Sequence, residues 1–183
     1  FDVKTSLKDR IEIIRDEAET AVREGSTSLI LSDKNISNQK ASIPSILTVG
    51  AVHSHLVKNG LRGYCSLNVE CSDALDTHSF AVLIGVGATT VNPYLAIDSI
   101  YQRFEKKLFG KSDFKSCVIK FKKSIDAGLL KIMSKMGISV ISSYRGGCNF
   151  EAVGLSRAIV SDYFSGMSSR ISGIGIIGIE KKI

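Results

Sequence analysis

"YCSLNVEC", Tyr64 to Cys71, is the stretch whose reading decides the fold. It reads as a β-strand, and a second strand lies on each side of it in the sequence. Upstream, "SLILSD", Ser28 to Asp33, is a short apolar run ending in an acid, the pattern of a buried strand. Downstream, "GATTVN" reads as a strand reaching Asn92. Helical patterns separate the three. Pro44 suits a first helical turn, and Ile46, Val49, Val52 and Leu56 carry that helix to Gly60. Leu75 to Ile84 predicts another helix. Pro93 opens a further one bearing Tyr94, Leu95, Ile97, Ile100, Tyr101 and Phe104. Strand and helix thus alternate at spacings of roughly 25 to 35 residues, the signature of a parallel sheet with crossover helices. The expected class is α/β, built from parallel β/α units.

Working outward, Thr5 or Ser6 can cap a first helix on which Leu7, Ile11, Ile14, Ala18 and Val22 recur at helical spacing, with Gly25 at its stop. Asp9, Glu12, Asp16, Glu17 and Glu19 take its outer face. Past the strands, the charged, glycine-containing segment 106–113 is the expected domain boundary. A helical stretch follows, with Val118, Ile119, Phe121, Ile125, Leu129, Ile132 and Met133 turned inward. "KIMSKMGISVISSYRGG", Lys131 to Gly147, begins as a helix and runs into a short β-type stretch before ending in a group of donors. Residues 150–155 read as a short helical piece and 156–164 as another. The glycine-rich, apolar tail "SGIGIIGIEKK" completes no unit.

Charge and composition narrow the function classes. The 183 residues are enough for one domain or slightly more, and 44% are apolar. No apolar run is long enough for a membrane-spanning helix. The net charge is +6, and the window from Glu105 to Lys135 holds nine lysines, three acids and no arginine, which accounts for all of it. Lysines without arginine or interleaved aromatics read as a solvated helix face rather than a nucleic-acid surface. Cys65, Cys71, Cys117 and Cys148 form no Cys-x-x-Cys pair and read as buried, reduced thiols, not metal ligands. His53 and His55 lie two positions apart on one helix and so point in different directions. One is expected at a helix–sheet seam and the other at the surface. Gly85-Val86-Gly87 follows a helix, so it reads as a helix-to-strand turn rather than a dinucleotide loop. The opening Phe1-Asp2-Val3-Lys4 is neither a signal peptide nor an initiator, and reads as the start of a fragment or a processed piece.

Two places offer chemistry. Asp33, Glu70 and Asn92 fall at the carboxyl ends of the strands, where ligands gather in parallel sheets, though each could instead cap the following helix. The other is the donor group after Gly137. There Ser139, Ser142, Ser143, Tyr144 and Arg145 stand beside Gly146 and Gly147, whose backbone amides could approach a phosphate or carboxylate. A turn with no ligand is the alternative.

Long motifs carry a resemblance. "LILSD", "IPSILTVGAVHSHLVKNGLR", "HSFAVLIGVGA", "VNPYLAIDSI", "GLLKIMSKMGIS", "SYRGG", "FEAVGLS" and "YFSGMSSRISGIG" follow one another as in the large subunit of glutamate synthase, which the chain resembles over nearly its whole length. The resemblance implies a glutaminase domain, a central domain, an FMN-binding β/α barrel with an iron–sulfur cluster, and a C-terminal β-helix in the parent chain. Residues 1–108 would be the C-terminal part of the central domain and 114–183 the entry to the FMN domain, a partial TIM-barrel-like architecture left incomplete at its C-terminus. It implies that ammonia from glutamine and 2-oxoglutarate give 2-iminoglutarate, which FMN reduces to L-glutamate. No catalytic residue and no metal ligand is carried over. Ser139, Ser143, Tyr144, Arg145 and Gly146 are placed near the flavin or the ammonia path, with neither FMN nor the cluster expected on this piece alone. Implied partners are the remaining domains and a small subunit or ferredoxin, with no nucleic acid and no membrane, in the cytoplasm or a plastid. The chain departs from the family at Ser54, which breaks a run of histidines, at His78-Ser79, at Val86, and at Gly147-Cys148, where Ala-Gln is usual. An interaction module, a phosphate-binding module or a divergent copy are the readings from other classes.

Overall fold

The computed structural model describes Asp2 and residues 5–183. Phe1, Val3 and Lys4, on which the expectation of a processed or internal start partly rests, lie outside the described residues. Helix α1, Leu7–Arg23, begins where the Ser6 hydroxyl accepts from the Asp9 amide at 3.1 Å. Its buried stripe is Leu7, Ile11, Arg15, Ala18 and Val22. The apolar members are as the spacing predicts; the buried arginine is not. Strand β1, Ser28–Ser32, is followed by α2, Ser45–Lys58, and by a 3-10 turn at Arg62–Tyr64. Strand β2, Ser66–Glu70, leads to α3, Thr77–Gly85, whose N-cap Asp76 accepts from the Ser79 amide at 2.8 Å. Strand β3, Thr90–Asn92, and α4, Tyr94–Glu105, complete the alternation.

The three strands form one parallel sheet in the order β1-β2-β3, with Ser32 beside Glu70 and Glu70 beside Asn92. "YCSLNVEC" therefore supplies the central strand. Leu67 and Val69 on β2 are buried, and Leu29, Leu31 and Val91 pack against the same core. The opposite face carries Ser28, Ile30, Ser32, Asn68, Glu70, Thr90 and Asn92, and Ile30 on it is 70% exposed. A parallel sheet covered on one face only is unusual. The polar residues on the open face suit contact with water.

Beyond the 106–113 corner lies α5, Phe114–Lys135, capped by Asp113. Cys117, Ile125 and Met133 are its buried residues, while Ile119, expected inward, is 43% exposed. After α5 the expected β-type stretch is absent. Gly137 takes a positive φ of 70° and ends the helix, and one short helix follows, α6, Ile141–Tyr144. Ile138 and Val140 favour extended backbone, but no strand lies beside them to pair with. Ile138 instead packs against Met133 and Tyr144.

A second correction concerns residues 150–155. They form not a helix but strand β4, Glu151–Leu155, paired parallel to β5, Ser168–Ile174. Helix α7, Arg157–Tyr163, links them as expected, and α8, Ile176–Glu180, closes the described chain. The class is α/β with two separate parallel sheets and eight α-helices among the described residues. One core cluster runs from Leu7 through Leu67 and Val86 to Ile125, Tyr163 and Phe164, so it crosses the charged corner without a break.

Candidate functional site

Asp33, Glu70 and Asn92 do meet at one end of the sheet, but none of them caps the following helix. Pro44, Asp76 and Pro93 hold those positions. Glu70 instead accepts from the Ser32 hydroxyl at 2.7 Å and the Asn92 amide at 3.2 Å, and pairs with Lys34 at 2.7 Å. The Lys34 ammonium and the Ser32 hydroxyl hold the Glu70 carboxyl below its ordinary value. Asp33 turns to the loop after β2 and accepts from the Ser72 amide and hydroxyl. One residue row inward, Thr90 donates to Asn68 Oδ1 at 2.6 Å and Asn68 donates to Ser28 at 2.9 Å. The strand-end groups thus bond mainly to one another, except Asp33 Oδ1, which is buried with no hydrogen-bond partner among the described residues. A groove of about 540 Å³ runs along the β1 edge, lined by Arg10, Glu17, Ile30, Asp33, Lys40 and Glu70 among others. Arg10 and Glu17 pair across 3.4 Å, which leaves its charge mixed.

The donor segment after Gly137 is dispersed by the fold. Tyr144 is 1% exposed, and its hydroxyl donates to the Ala81 carbonyl of α3 at 3.1 Å. Burial pushes its phenol above the ordinary value. Arg145 Nε donates to the Ala88 carbonyl at 3.1 Å. Gly146 packs against His53, whose Nε2 lies 3.0 Å from where a Gly146 side chain would begin. Ser139 and Ser143 are exposed, and their hydroxyls bond nothing among the described residues. The five residues therefore do not converge on one point.

What does converge is a set that the sequence reading missed. Arg62 donates to His53 Nδ1 at 3.1 Å, to the Cys65 carbonyl at 2.6 Å, to the Gly87 carbonyl at 2.8 Å and to the Thr89 hydroxyl at 3.3 Å. With Arg145 on Ala88, two guanidinium groups grip consecutive carbonyls of the α3–β3 turn. That turn follows the C-terminus of α3, where the helix dipole favours cations. Because Nδ1 accepts from Arg62, the neutral His53 ring carries its proton on Nε2. Burial, then Arg62 and Arg145, lowers its pKa to about 4. The sign follows from linkage: the unfolded chain takes up a proton near the ordinary histidine value of 6.5 that the folded chain refuses until about 4. Stability is full above pH 6.5 and falls between those two values. We expect a loss of roughly 2 kcal/mol from pH 7 to pH 4.5, discounted for residual solvent contact. Urea titrations should show a shallower loss in His53→Gln.

The implied cofactors can be tested against these residues. Tyr144 and Arg145 are committed to backbone carbonyls, and the cavity beside Gly146 measures about 30 Å³, room for one water. As placed here, residues 139–146 do not fit a flavin. Cys65, Cys71 and Cys117 are buried, Cys148 is exposed, and no metal-holding group of His, Cys, Asp and Glu exists among the described residues. Burial, together with Asp73, pushes the Cys71 thiol up to about 12, so it stays protonated. The cysteines do not fit a cluster either. No helix is long and apolar enough to cross a membrane among the described residues.

Comparison with known proteins adds the family. A family model described as the glutamate synthase central domain matches residues 1–156. The NADPH glutamate synthase large chain of Azospirillum brasilense is 58% identical over 178 residues, covering 97% of this chain and 12% of its own length. That of Bacillus subtilis is 44% identical over 183 residues, covering 99% and 12%. The ferredoxin-dependent glutamate synthase of Pyropia yezoensis is 40% identical over 188 residues, covering 97% and 12%. The chain thus spans about 12% of the length of these relatives.

Proposed function

The chain belongs to the glutamate synthase central-domain family, and from that premise we propose that it is the structural joint between the end of the central domain and the entry to the flavin barrel of a glutamate synthase. The parent enzyme makes L-glutamate from glutamine-derived ammonia and 2-oxoglutarate, with FMN reducing the 2-iminoglutarate. FMN and the iron–sulfur cluster are held by other parts of that chain. The partners are those other parts and a small subunit or ferredoxin, in the cytoplasm or a plastid. Support comes from the relatives, which carry the names of NADPH and ferredoxin-dependent glutamate synthases.

The observation that carries the joint is the pair of bonds from Tyr144 and Arg145 back to Ala81 and Ala88. Side chains late in the segment brace a turn near its middle, so Tyr144 and Arg145 are positioning residues. Ser139 and Ser143 face outward, towards the flavin end or the ammonia path, and Gly146 lets His53 approach. We keep the two-part division as a proposal, with its seam at the 106–113 corner; both bonds cross that corner, and the family match continues past it to residue 156.

The test is Arg145→Ala in a full-length glutamate synthase. Lower glutamine-dependent turnover or lower flavin content is expected. Both unchanged, with the protein folded, would remove the reading.

A further inference from the structure

We propose that the free edge of β1 carries a further parallel strand in the parent enzyme, and that this strand is the segment running directly into α1. The strand rests on the reading of the parent as a glutamate synthase and is independent of the joint made by Tyr144 and Arg145. Among the described residues β1 pairs only with β2. The Asp33 amide donates to the Glu70 carbonyl, and the Thr27 carbonyl accepts from the Ser66 amide, so the odd-numbered residues of β1 face β2. The backbone groups of Ser28, Ile30 and Ser32 therefore face the opposite, unpaired side.

The two edges of the sheet are built differently. Strand β3 is three residues long and runs straight into Pro93, so it offers little to pair with. Strand β1 is five residues, Ser-Leu-Ile-Leu-Ser, with no charge, no proline and an unbroken register. Edges that stay in water are blunted by just such devices. Beside β1 lies the groove of about 540 Å³, and part of its lining is apolar: Ile13 and Ile14 from α1, Ile30 and Leu31 from β1. Ile13 is 42% exposed and Ile30 70%. Solvent alone is a poor cover for such an edge.

Chain topology names the occupant. The connections β1–α2–β2 and β2–α3–β3 each move one strand along in the same direction, and α2 and α3 share one core with Leu67 and Val69 of the sheet. Helix α1 lies on that same face, against α2, and leads into β1 through residues 24–27. A parallel crossover is right-handed in about 98% of cases. With its helix on this face, that hand places the strand before α1 on the far side of β1 from β2. The entry to α1 lies at the matching end. Asp2 bridges Lys40, in the loop that leaves the carboxyl end of β1, and both line the groove. A strand ending there runs beside β1 and parallel to it. A separate partner, or a distant part of the same chain, would cover the edge without this order.

The test uses the full-length parent chain. Ile30→Cys is combined, one variant at a time, with cysteine at each of about ten positions preceding Phe1, and disulfides formed under mild oxidation are read by peptide mapping. Bridges are expected at every second position only, because alternate residues of a strand face opposite sides. In the wild type, the Ile30 and Ser32 amides should exchange about a hundredfold more slowly than unstructured chain. Bridges at no position, or at consecutive positions alike, would overturn the proposal, and so would fast exchange at Ile30 and Ser32. Slow exchange without alternating bridges would assign the edge to another segment or partner and overturn it equally. These readouts report on β1, whereas the joint is read at residues 85–89 and 141–147, so the two can fail separately. Glutamine-dependent turnover of the wild type, measured alongside, checks the parent reading by itself.

Discussion

Replacing Arg15 by alanine will lower the unfolding free energy of the 183-residue chain by about 3 kcal/mol. Arg15 is 5% exposed and joins three helices. Its Nε donates to the Ala51 carbonyl of α2 at 3.2 Å. Its terminal nitrogens reach the Asp162 carboxylate at 3.2 Å and the Asp162 carbonyl at 3.1 Å on α7, and Glu12 at 3.0 Å on its own helix. The guanidinium also lies 4.6 Å from the centre of the Tyr163 ring. The alanine variant loses the packed stem, the cation–π contact and the buried bond together. The carboxylates are only half shielded, Asp162 being 42% exposed and Glu12 45%, and they return to water. That keeps the loss below the figure for a fully buried pair. Urea unfolding of the variant measures it. An Arg15, Asp162 double-mutant cycle should give a coupling of about 1 kcal/mol.

The second large effect comes from Gly50. Here α2 and α7 approach so closely that a side chain at residue 50 would meet the Phe164 ring and, at 2.7 Å, the Tyr163 carbonyl oxygen. The ring could turn aside; the backbone oxygen could not. It is also the acceptor of the Ser54 hydroxyl at 2.9 Å, one turn further along α2. Gly50→Ala must push the two helices apart and stretch that bond. A loss of about 2 to 3 kcal/mol is expected, despite the higher helix propensity of alanine. Gly60→Ala, at a position with open space but a positive φ of 68°, should cost less, about 1 kcal/mol. Thermal melts of the two variants together separate crowding from backbone strain.

Much of the fold was legible because the first three units depend on local pattern. Leu7, Ile11, Ala18 and Val22 mark a stripe, and the three strands stand between helices of ordinary length. Where the outcome depends on residues far apart, the pattern runs out. Arg15 looks like part of a charged outer face, and its partner Asp162 lies 147 residues away. "EAVGL", Glu151 to Leu155, holds good helix formers and becomes a strand because β5 pairs with it. Ile138 and Val140 have the composition of a strand and no neighbour to make them one. Among the site residues, the donor-rich composition of 139–146 was visible, but not that Tyr144 and Arg145 would be spent on carbonyls of α3 and its turn. Arg62, which organises that turn, closes one of the quoted motifs but drew no role from it. An arginine nine residues from a histidine carries no local signal. Strand-end chemistry was read correctly as to place and wrongly as to role: Asp33, Glu70 and Asn92 tie strands and loops to one another rather than capping helices.

Hydrogen exchange on the full-length chain, comparing the wild type with Arg145→Ala, bears most directly on the joint. If the late segment braces the α3–β3 turn, amides of residues 85–89 and of 141–147 lose protection together, although they lie more than fifty residues apart in sequence. Loss confined to the immediate neighbours of residue 145, with the turn as protected as before, would contradict it.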